Sequence, residues 1–338
     1  MNTITEKRFT EIVNSFSKLK PVMVVGDVGI DKYTHGEVNR ISPEAPVPVL
    51  EVKKEWYKLG LASNVSHNLS GLGVKSTLCG VIGNDLRADI FENLLEESKL
   101  STWGIVRDTS RPTVLKERIV TTSQQICRID YEELQALNET TSKNLYNRFS
   151  DLYADHKSII IEDYGKNTLP EQMIKNIIEK CRSENKFVSV DPSRHRSPTV
   201  YTGANLLKPN LVEANLLLTS LGYSNEPIDS MCHILADKMN LEMVAITLGK
   251  DGMALLDTND DGKLHIIPTM ANEVFDVSGA GDTVISVLIS CLSAGASLEE
   301  AAWISNCAAG VVVGKLGTAT VSPKELISFY SQMSSVLH

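Results

Sequence analysis

Glu273-Val-Phe-Asp-Val-Ser-Gly-Ala-Gly-Asp-Thr-Val284 is the stretch that decides the fold. It reads as a strand end (Val274, Phe275, Val277), then Ser278-Gly-Ala-Gly281, then Asp282 opening an apolar helix that runs on to Leu292. Small residues let the backbone turn tightly and let a ligand come close. The turn feeds a helix N-terminus, where unpaired N–H groups and the positive dipole end favour an anion. A lone Asp282 there would read as a helix cap. Behind Gly279-Ala280-Gly281 it reads instead as a proton acceptor beside a bound negative group, the pairing that phosphoryl transfer to a hydroxyl requires. No Gly-Lys-Ser/Thr follows, so this is not a Walker A loop. It lies near the C-terminal end and lacks G-x-G-x-x-G, so it is not a dinucleotide fingerprint either.

The bulk numbers leave room for such chemistry and exclude other classes. A chain of 338 residues makes one large domain or two modest ones. The net charge of −9 gives no general pull towards nucleic acid, so any phosphate must be held by a local cluster. The six cysteines are scattered without a C-x-x-C pair, which reads as free thiols in a reducing compartment. No apolar run reaches transmembrane length and the N-terminus has no signal-peptide core. A cytoplasmic protein without membrane or nucleic-acid partners is expected.

Working outward, Ile4, Phe9, Ile12, Val13 and Phe16 predict a leading amphipathic helix. Val22–Val25 is a short continuous apolar run, as in a strand buried on both faces. Asp27 and Asp31 follow it. Carboxylates past the end of a buried strand either stabilise a turn or contact a ligand at the carboxyl edge of an α/β sheet. Ser76–Ile82 reads as a strand, 84–97 as a capped helix and 102–107 as a strand, so strands and helices alternate as in a parallel sheet. Two segments break the rhythm. Gly36–Leu50 holds Pro43, Pro46 and Pro48, which exclude a helix and a central strand and leave an edge strand. Pro112–Asp130 reads as a hairpin turning at 121–123, with Lys116 and Arg118 on one face. Further strands at 158–161 and 187–190 end in Glu162-Asp163 and Asp191. Asn210 and Glu213 lie one helical turn apart, either as a cap with a first-turn Glu or as a ligand pair.

Asp276-Val-Ser-Gly-Ala-Gly-Asp282 resembles the second signature of the ribokinase, or phosphofructokinase-B, sugar kinases. That resemblance implies Asp282 as catalytic base and an anion hole at Gly279, Ala280 and Gly281. Leu59–Leu69 is similar to the first signature: Gly60 and Asn64 are kept, and Leu61 replaces a second Gly. Asn64 and Asp27 are thereby implied as sugar contacts, with Asp31 and Gly60 beside them. Val244–Gly252 resembles the nucleotide segment, implying Thr247, Gly249 and Gly252 near ATP, with Lys208 and Asn306 as further nucleotide contacts. Asn210 and Glu213 are implied to organise Mg²⁺, through water. Arg40-Ile-Ser-Pro-Glu-Ala-Pro-Val-Pro-Val49 and Val311–Val321 resemble one branch, the heptose phosphate kinases. That branch usually reads Asp-Tyr-Ala-Lys-Gly and Asp-Pro-Lys-Gly. Here the chain has Asp163-Tyr-Gly-Lys-Asn167 and Asp191-Pro-Ser-Arg194, with Arg194 or Arg196 left to replace the missing Lys.

The resemblance implies a ribokinase-like α/β fold: a three-layer αβα sandwich in one kinase domain over 1–338, with a small β-sheet lid from about 37–58 and 112–131. It implies a homodimer through that lid. It implies ATP-dependent phosphorylation of the anomeric hydroxyl of a heptose 7-phosphate, giving the 1,7-bisphosphate on the route to lipopolysaccharide core. Arg40, Lys116, Arg118 and Arg128 all fall in the lid and together suit a substrate phosphate. Each alone reads as a solvated charge, or as a salt bridge to Glu117 or Asp130. Two rivals stand beside this reading: a kinase of the same family acting on another sugar, and a non-catalytic sugar-phosphate sensor. The chain carries no His-x-Gly-His nucleotidyltransferase motif, so a separate protein is expected to supply the later step.

Overall fold

The computed structural model describes residues 4–122, 124–270, 276–315 and 317–337, the last four by backbone alone. The strand end expected at Val274 and Phe275 lies outside them, as does position 123 of the hairpin turn. Thirteen strands are found among the described residues: β1 (Val22–Gly26), β2 (Val28–Ile41), β3 (Pro48–Leu61), β4 (Ser76–Ile82), β5 (Ile105–Arg107), β6 (Leu115–Val120), β7 (Gln125–Tyr131), β8 (Ser158–Glu162), β9 (Phe187–Asp191), β10 (Leu206–Leu207), β11 (Met243–Thr247), β12 (Met253–Asp257) and β13 (His265–Ile267).

Nine of them form one sheet in the order β13-β12-β11-β10-β9-β8-β1-β4-β5. From β5 to β11 every neighbour pair is parallel, and β12 and β13 close the far edge antiparallel. The continuous apolar runs follow from burial on both faces. Val22 and Val24 enter one core with Ile160, while Met23 and Val25 enter the other with Ile159 and Ile161. Helices Glu6–Ser15, Ala62–Gly71, Leu86–Glu97, Ala280–Ser293, Leu298–Val313 and Pro323–Leu337 cover the first face. Helices Glu139–Leu152, Glu171–Ser183, Leu211–Ser220 and Ile228–Met239 cover the second. This is the three-layer αβα sandwich.

Strand order reverses between β1 and β8: from β1 the chain adds β4 and β5 on one side, from β8 it adds β9, β10 and β11 on the other. A crevice opens at the carboxyl ends of strands at such a switch point.

A second sheet, in the order β3-β2-β6-β7, stands apart from the first. Asp27 alone separates β1 from β2, so this sheet is anchored at the crevice. β2 pairs antiparallel with β3 and parallel with β6, and β6 and β7 form the hairpin. Pro43 and Pro46 lie in the β2–β3 connection and Pro48 opens the edge strand β3, positions where a missing N–H costs no ladder bond.

Candidate active site

The parallel strands deliver Asp27, Glu162, Asp191, Lys208 and Thr247 to one edge of the sheet. Above that edge lies a cavity of about 1070 Å³, walled on one side by Lys116 and Arg128 of the second sheet and on another by Ala280, Gly281 and Asp282.

The turn before helix Ala280–Ser293 is built as its residues require. Gly279 caps the helix with φ of 77°. A Cβ there would come within 2.7 Å of Asn64 Nδ2, so both backbone and space demand glycine. Ala280 and Gly281 make the first turn and leave it open to the cavity. Asp282 is buried, and both its oxygens accept hydrogen bonds: Oδ2 from Asn64 Nδ2 at 2.6 Å and Oδ1 from the Tyr164 hydroxyl at 2.5 Å. Burial pushes its pKa up from 3.8 to about 6, with Asp191 adding to the rise. The two hydrogen bonds and Lys208 pull the other way. A base poised near neutral pH is what proton abstraction from a hydroxyl needs.

Acidic groups crowd the floor. Lys208 Nζ pairs with Asp191 Oδ2 at 2.8 Å. Burial works against the Lys208 charge, but Asp191, Glu162 and Glu213 together hold the amine above its ordinary value. Glu162 is fully buried and lines the cavity, and neither carboxylate oxygen has a partner among the described residues. Burial, then Asp191 and Asp282, push its pKa well above the ordinary glutamate value, with Lys208 pulling the other way. Asn210 and Glu213 form a capping box, Glu213 N donating to Asn210 Oδ1 at 2.9 Å and Asn210 N to Glu213 Oε2 at 2.8 Å. Cap and ligand pair are compatible, because both residues also line the cavity and one Glu213 oxygen is outside the box. Burial, then Asp191, raise the Glu213 carboxyl above its usual value.

The remaining nucleotide-side residues converge too: Thr247, Gly249, Gly252 and Asn306 line the same cavity. Gly252 has φ of 96°, and a Cβ there would sit 1.9 Å from the Ile267 carbonyl oxygen. Asn306 Nδ2 donates to the Pro268 carbonyl at 3.0 Å.

The sugar-side residues divide. Lys116 and Arg128 line the cavity; Asp27, Asp31, Arg40, Gly60, Asn64 and Arg118 do not. The buried Asp27 carboxylate is occupied by the loop after β8, accepting from Tyr164 N at 2.8 Å, Lys166 N at 3.1 Å, Thr168 N at 3.3 Å and the Thr168 hydroxyl. Asp31 is ion-paired with Arg118 at 2.5 Å, and a Cβ on Gly60 would press on that same Asp31 carboxylate. Arg118 also lies over the Tyr33 ring. Arg40 is exposed near the far end of β2. Leu61 adopts φ of 57°, but its side chain is buried and does not enter the cavity. Arg194 lines the cavity, whereas Arg196 pairs with Asp163 at 2.5 Å.

Tyr164, Glu162 and Lys166 line the site; the sequence placed Glu162 at a strand end on the ligand-bearing edge but assigned none of the three a role. Their signal was the strand end Ser158–Glu162 followed by a polar loop, the pattern that had marked Asp27.

Comparison with known proteins agrees with this geometry. The description of the pfkB family carbohydrate kinases matches residues 21–325. The bifunctional protein HldE of Helicobacter hepaticus is 38% identical over 321 residues, covering 95% of this chain and 66% of that protein. HldE of Haemophilus influenzae is 40% identical over 309 residues, covering 91% of this chain and 63% of its own. The chain thus spans about two thirds of the length of these relatives. Phosphofructokinase-2 from Escherichia coli shares the fold with a TM-score of 0.76 at 17% identity, over 94% of this chain and 100% of that one. Ribokinase from Thermotoga maritima does so with 0.70 at 20% identity, over 92% and 99%. The ribokinase-like α/β fold is therefore established, and the chain belongs to the pfkB family of carbohydrate kinases.

Proposed function

We propose that the protein transfers the γ-phosphoryl group of ATP to the anomeric hydroxyl of D-glycero-D-manno-heptose 7-phosphate, giving the 1,7-bisphosphate for ADP-heptose and lipopolysaccharide core. Asp282 takes the hydroxyl proton as the sugar oxygen forms its bond to phosphorus. The bond from phosphorus to the β-phosphate oxygen breaks and ADP leaves. The helix N-terminus at Gly279, Ala280 and Gly281 faces the charge of the transferring group. ATP lies along Lys208, Asn210, Glu213, Thr247, Gly249, Gly252 and Asn306, all of which line the cavity.

The observation that carries the phosphorylated sugar is Lys116. Its ammonium lies over the Tyr164 ring at 5.5 Å and, among the described residues, has no carboxylate partner within salt-bridge distance. Burial lowers its pKa, and Lys166, then Arg128, add to that against Asp31 and Asp130. Lys166 and Arg128 beside it on the cavity wall are already paired with Glu132 at 2.7 Å and Asp130 at 2.8 Å, so Lys116 is the desolvated cation that an anion there would stabilise, and a substrate phosphate supplies one. Arg118 and Arg40, grouped with Lys116 by sequence, do not reach this wall.

Among the described residues no group of three or more His, Cys, Asp or Glu side chains is arranged to hold a metal ion alone. Carboxylates nevertheless outnumber the one lysine around Lys208, where a polyanion must bind, which fits a divalent cation that arrives with the nucleotide. Asn210 and Glu213 would hold Mg²⁺ through water, and the ion would neutralise phosphate charge.

Ile41, Val52 and Ile129 of the second sheet are exposed, and among the described residues its outer strands β3 and β7 are each paired on one side only. This supports a homodimer through the lid. Sedimentation showing only monomer at micromolar concentration would reject it. No helix among the described residues is long and apolar enough to cross a membrane. Cytoplasmic placement, where ATP is plentiful, belongs to the same proposal.

The test is a panel of sugars and sugar phosphates with ATP, scored by kcat/KM. Heptose 7-phosphate should lead by at least about tenfold over the unphosphorylated heptose, since a charge-assisted contact is worth that much. Equal values for the two would overturn the phosphate assignment, and a different leading sugar would install the same-family alternative.

A further inference from the structure

We propose that Tyr164 is the positioning residue of the phosphoryl-transfer base: its phenol holds Asp282 in the orientation that accepts the substrate proton, and Asp27 fixes the phenol there through the loop after β8. The inference rests on Asp282 being the base.

Asp282 sits in the first turn of its helix, where a free carboxylate has two local alternatives: to swing onto the orphan N–H groups, or to reach towards the Lys208 ammonium. Two donors prevent both. Asn64 Nδ2 holds Oδ2 and the Tyr164 hydroxyl holds Oδ1. A carboxylate has about four lone-pair sites, so each oxygen keeps one for a substrate hydroxyl. The phenol donates to Asp282 and keeps its own proton, because burial, then Asp282, Glu162 and Asp191, hold its pKa well above the ordinary value. It therefore orients the base without competing for the proton.

The phenol is itself held at three points. Its backbone N–H donates to Asp27, which also binds Lys166 and Thr168, so the loop from 164 to 168 is fixed to the end of β1. Gly165 turns the chain at φ of 69° immediately after it. Lys116 covers the ring from β6. Asp27 and Tyr164 thus straddle the switch point between β1 and β8, and the chain Asp27–Tyr164–Asp282 links sheet to base. A buried tyrosine hydroxyl seeks any acceptor, so the test must separate positioning from mere satisfaction of the hydroxyl.

The charged and polar groups facing Asp282 are Glu162 and Tyr164 from the end of β8, Asp191 from β9, Lys208 from the end of β10 and Asn64 from helix Ala62–Gly71. Tyr164→Phe removes one of the two bonds that favour the ionised carboxylate and leaves the rest. The acid limb of kcat/KM for the sugar substrate should then move to higher pH by about one unit. At the plateau kcat should fall about tenfold while KM for ATP is unchanged. Replacing Tyr164 by 3-fluorotyrosine, nearly isosteric and a stronger donor, should move the same limb to lower pH with the fold intact. An unmoved limb in both proteins overturns the proposal, even if Tyr164→Phe loses rate uniformly, because a merely structural tyrosine would act that way. Asp282→Asn retaining near-normal turnover would instead retire the base itself, whatever Tyr164 does.

Discussion

Asp282→Asn separates catalysis from stability, and the structure fixes the sign of both effects. The substitution is nearly isosteric. Its carbonyl oxygen can keep the Tyr164 bond, and its new amide can donate to Asn64 Oδ1, which is buried without a partner among the described residues, once the Asn64 amide turns over. Packing is therefore preserved. Catalysis should fall by roughly 10²–10⁴-fold in kcat, the range for a positioned base. Stability should rise. An acid whose folded pKa stands above its unfolded value destabilises the fold wherever it is ionised. For Asp282 that penalty is complete above about pH 6 and vanishes below 3.8. The rise from 3.8 to about 6 corresponds to about 3 kcal/mol, and Asp282 is buried enough for little screening discount. A chain of this size should gain a few degrees in Tm at pH 7.5. The gain should shrink as pH falls from 7 towards 4. Melting curves across that range, with ADP release at pH 7.5, measure both. A variant that loses activity but melts no higher than the parent at pH 7.5 would refute the account of a desolvated, high-pKa base.

Much of the frame was legible because it rests on local physics. A strand buried on both faces must be continuously apolar, and Val22–Val25 and Ser158–Ile161 announce themselves so. Gly279 and Asp282 were legible because a left-handed turn into a helix leaves few choices of residue. The structure shows the cap that Asn210 and Glu213 form, and their ligand reading stands as a proposal compatible with that geometry. What sequence could not reach were pairings across the fold. Tyr164 meets Asp282 over 118 residues, Asn64 meets it over 218, and Arg118 meets Asp31 over 87. Nothing local says that Asp27 will accept a hydrogen bond from a loop 137 residues away. Likewise Lys116 and Arg118 share a strand face, yet one is left without a carboxylate at the cavity and the other is consumed by an ion pair. The register of β2 against β6 sets Asp31 opposite Lys116, yet the diagonal neighbour Arg118 is the one that reaches its carboxylate.

That split yields the remaining predictions. Gly252→Ala should cost at least about 2 kcal/mol in urea unfolding, because its Cβ would overlap the Ile267 carbonyl and its backbone is left-handed. Arg118→Ala should act mainly on the fold. It strands the buried Asp31 carboxylate, which costs about 3–5 kcal/mol for a broken buried pair, while KM for the sugar phosphate in the surviving folded protein changes little. Lys116→Ala should do the reverse. The ammonium has no carboxylate to abandon and is poorly solvated, so its loss should leave urea stability within about 1 kcal/mol or raise it. The substrate phosphate, however, would lose a charge-assisted contact worth at least about tenfold. KM for the phosphorylated sugar should rise by that factor, while KM for ATP and KM for the unphosphorylated sugar should hold. The two variants thus form a crossed pair read by the same two assays. If Arg118→Ala raised KM for the sugar phosphate while Lys116→Ala did not, the phosphate would lie against the Asp31 pair and the wall formed by Lys116, Lys166 and Arg128 would have no part in holding it.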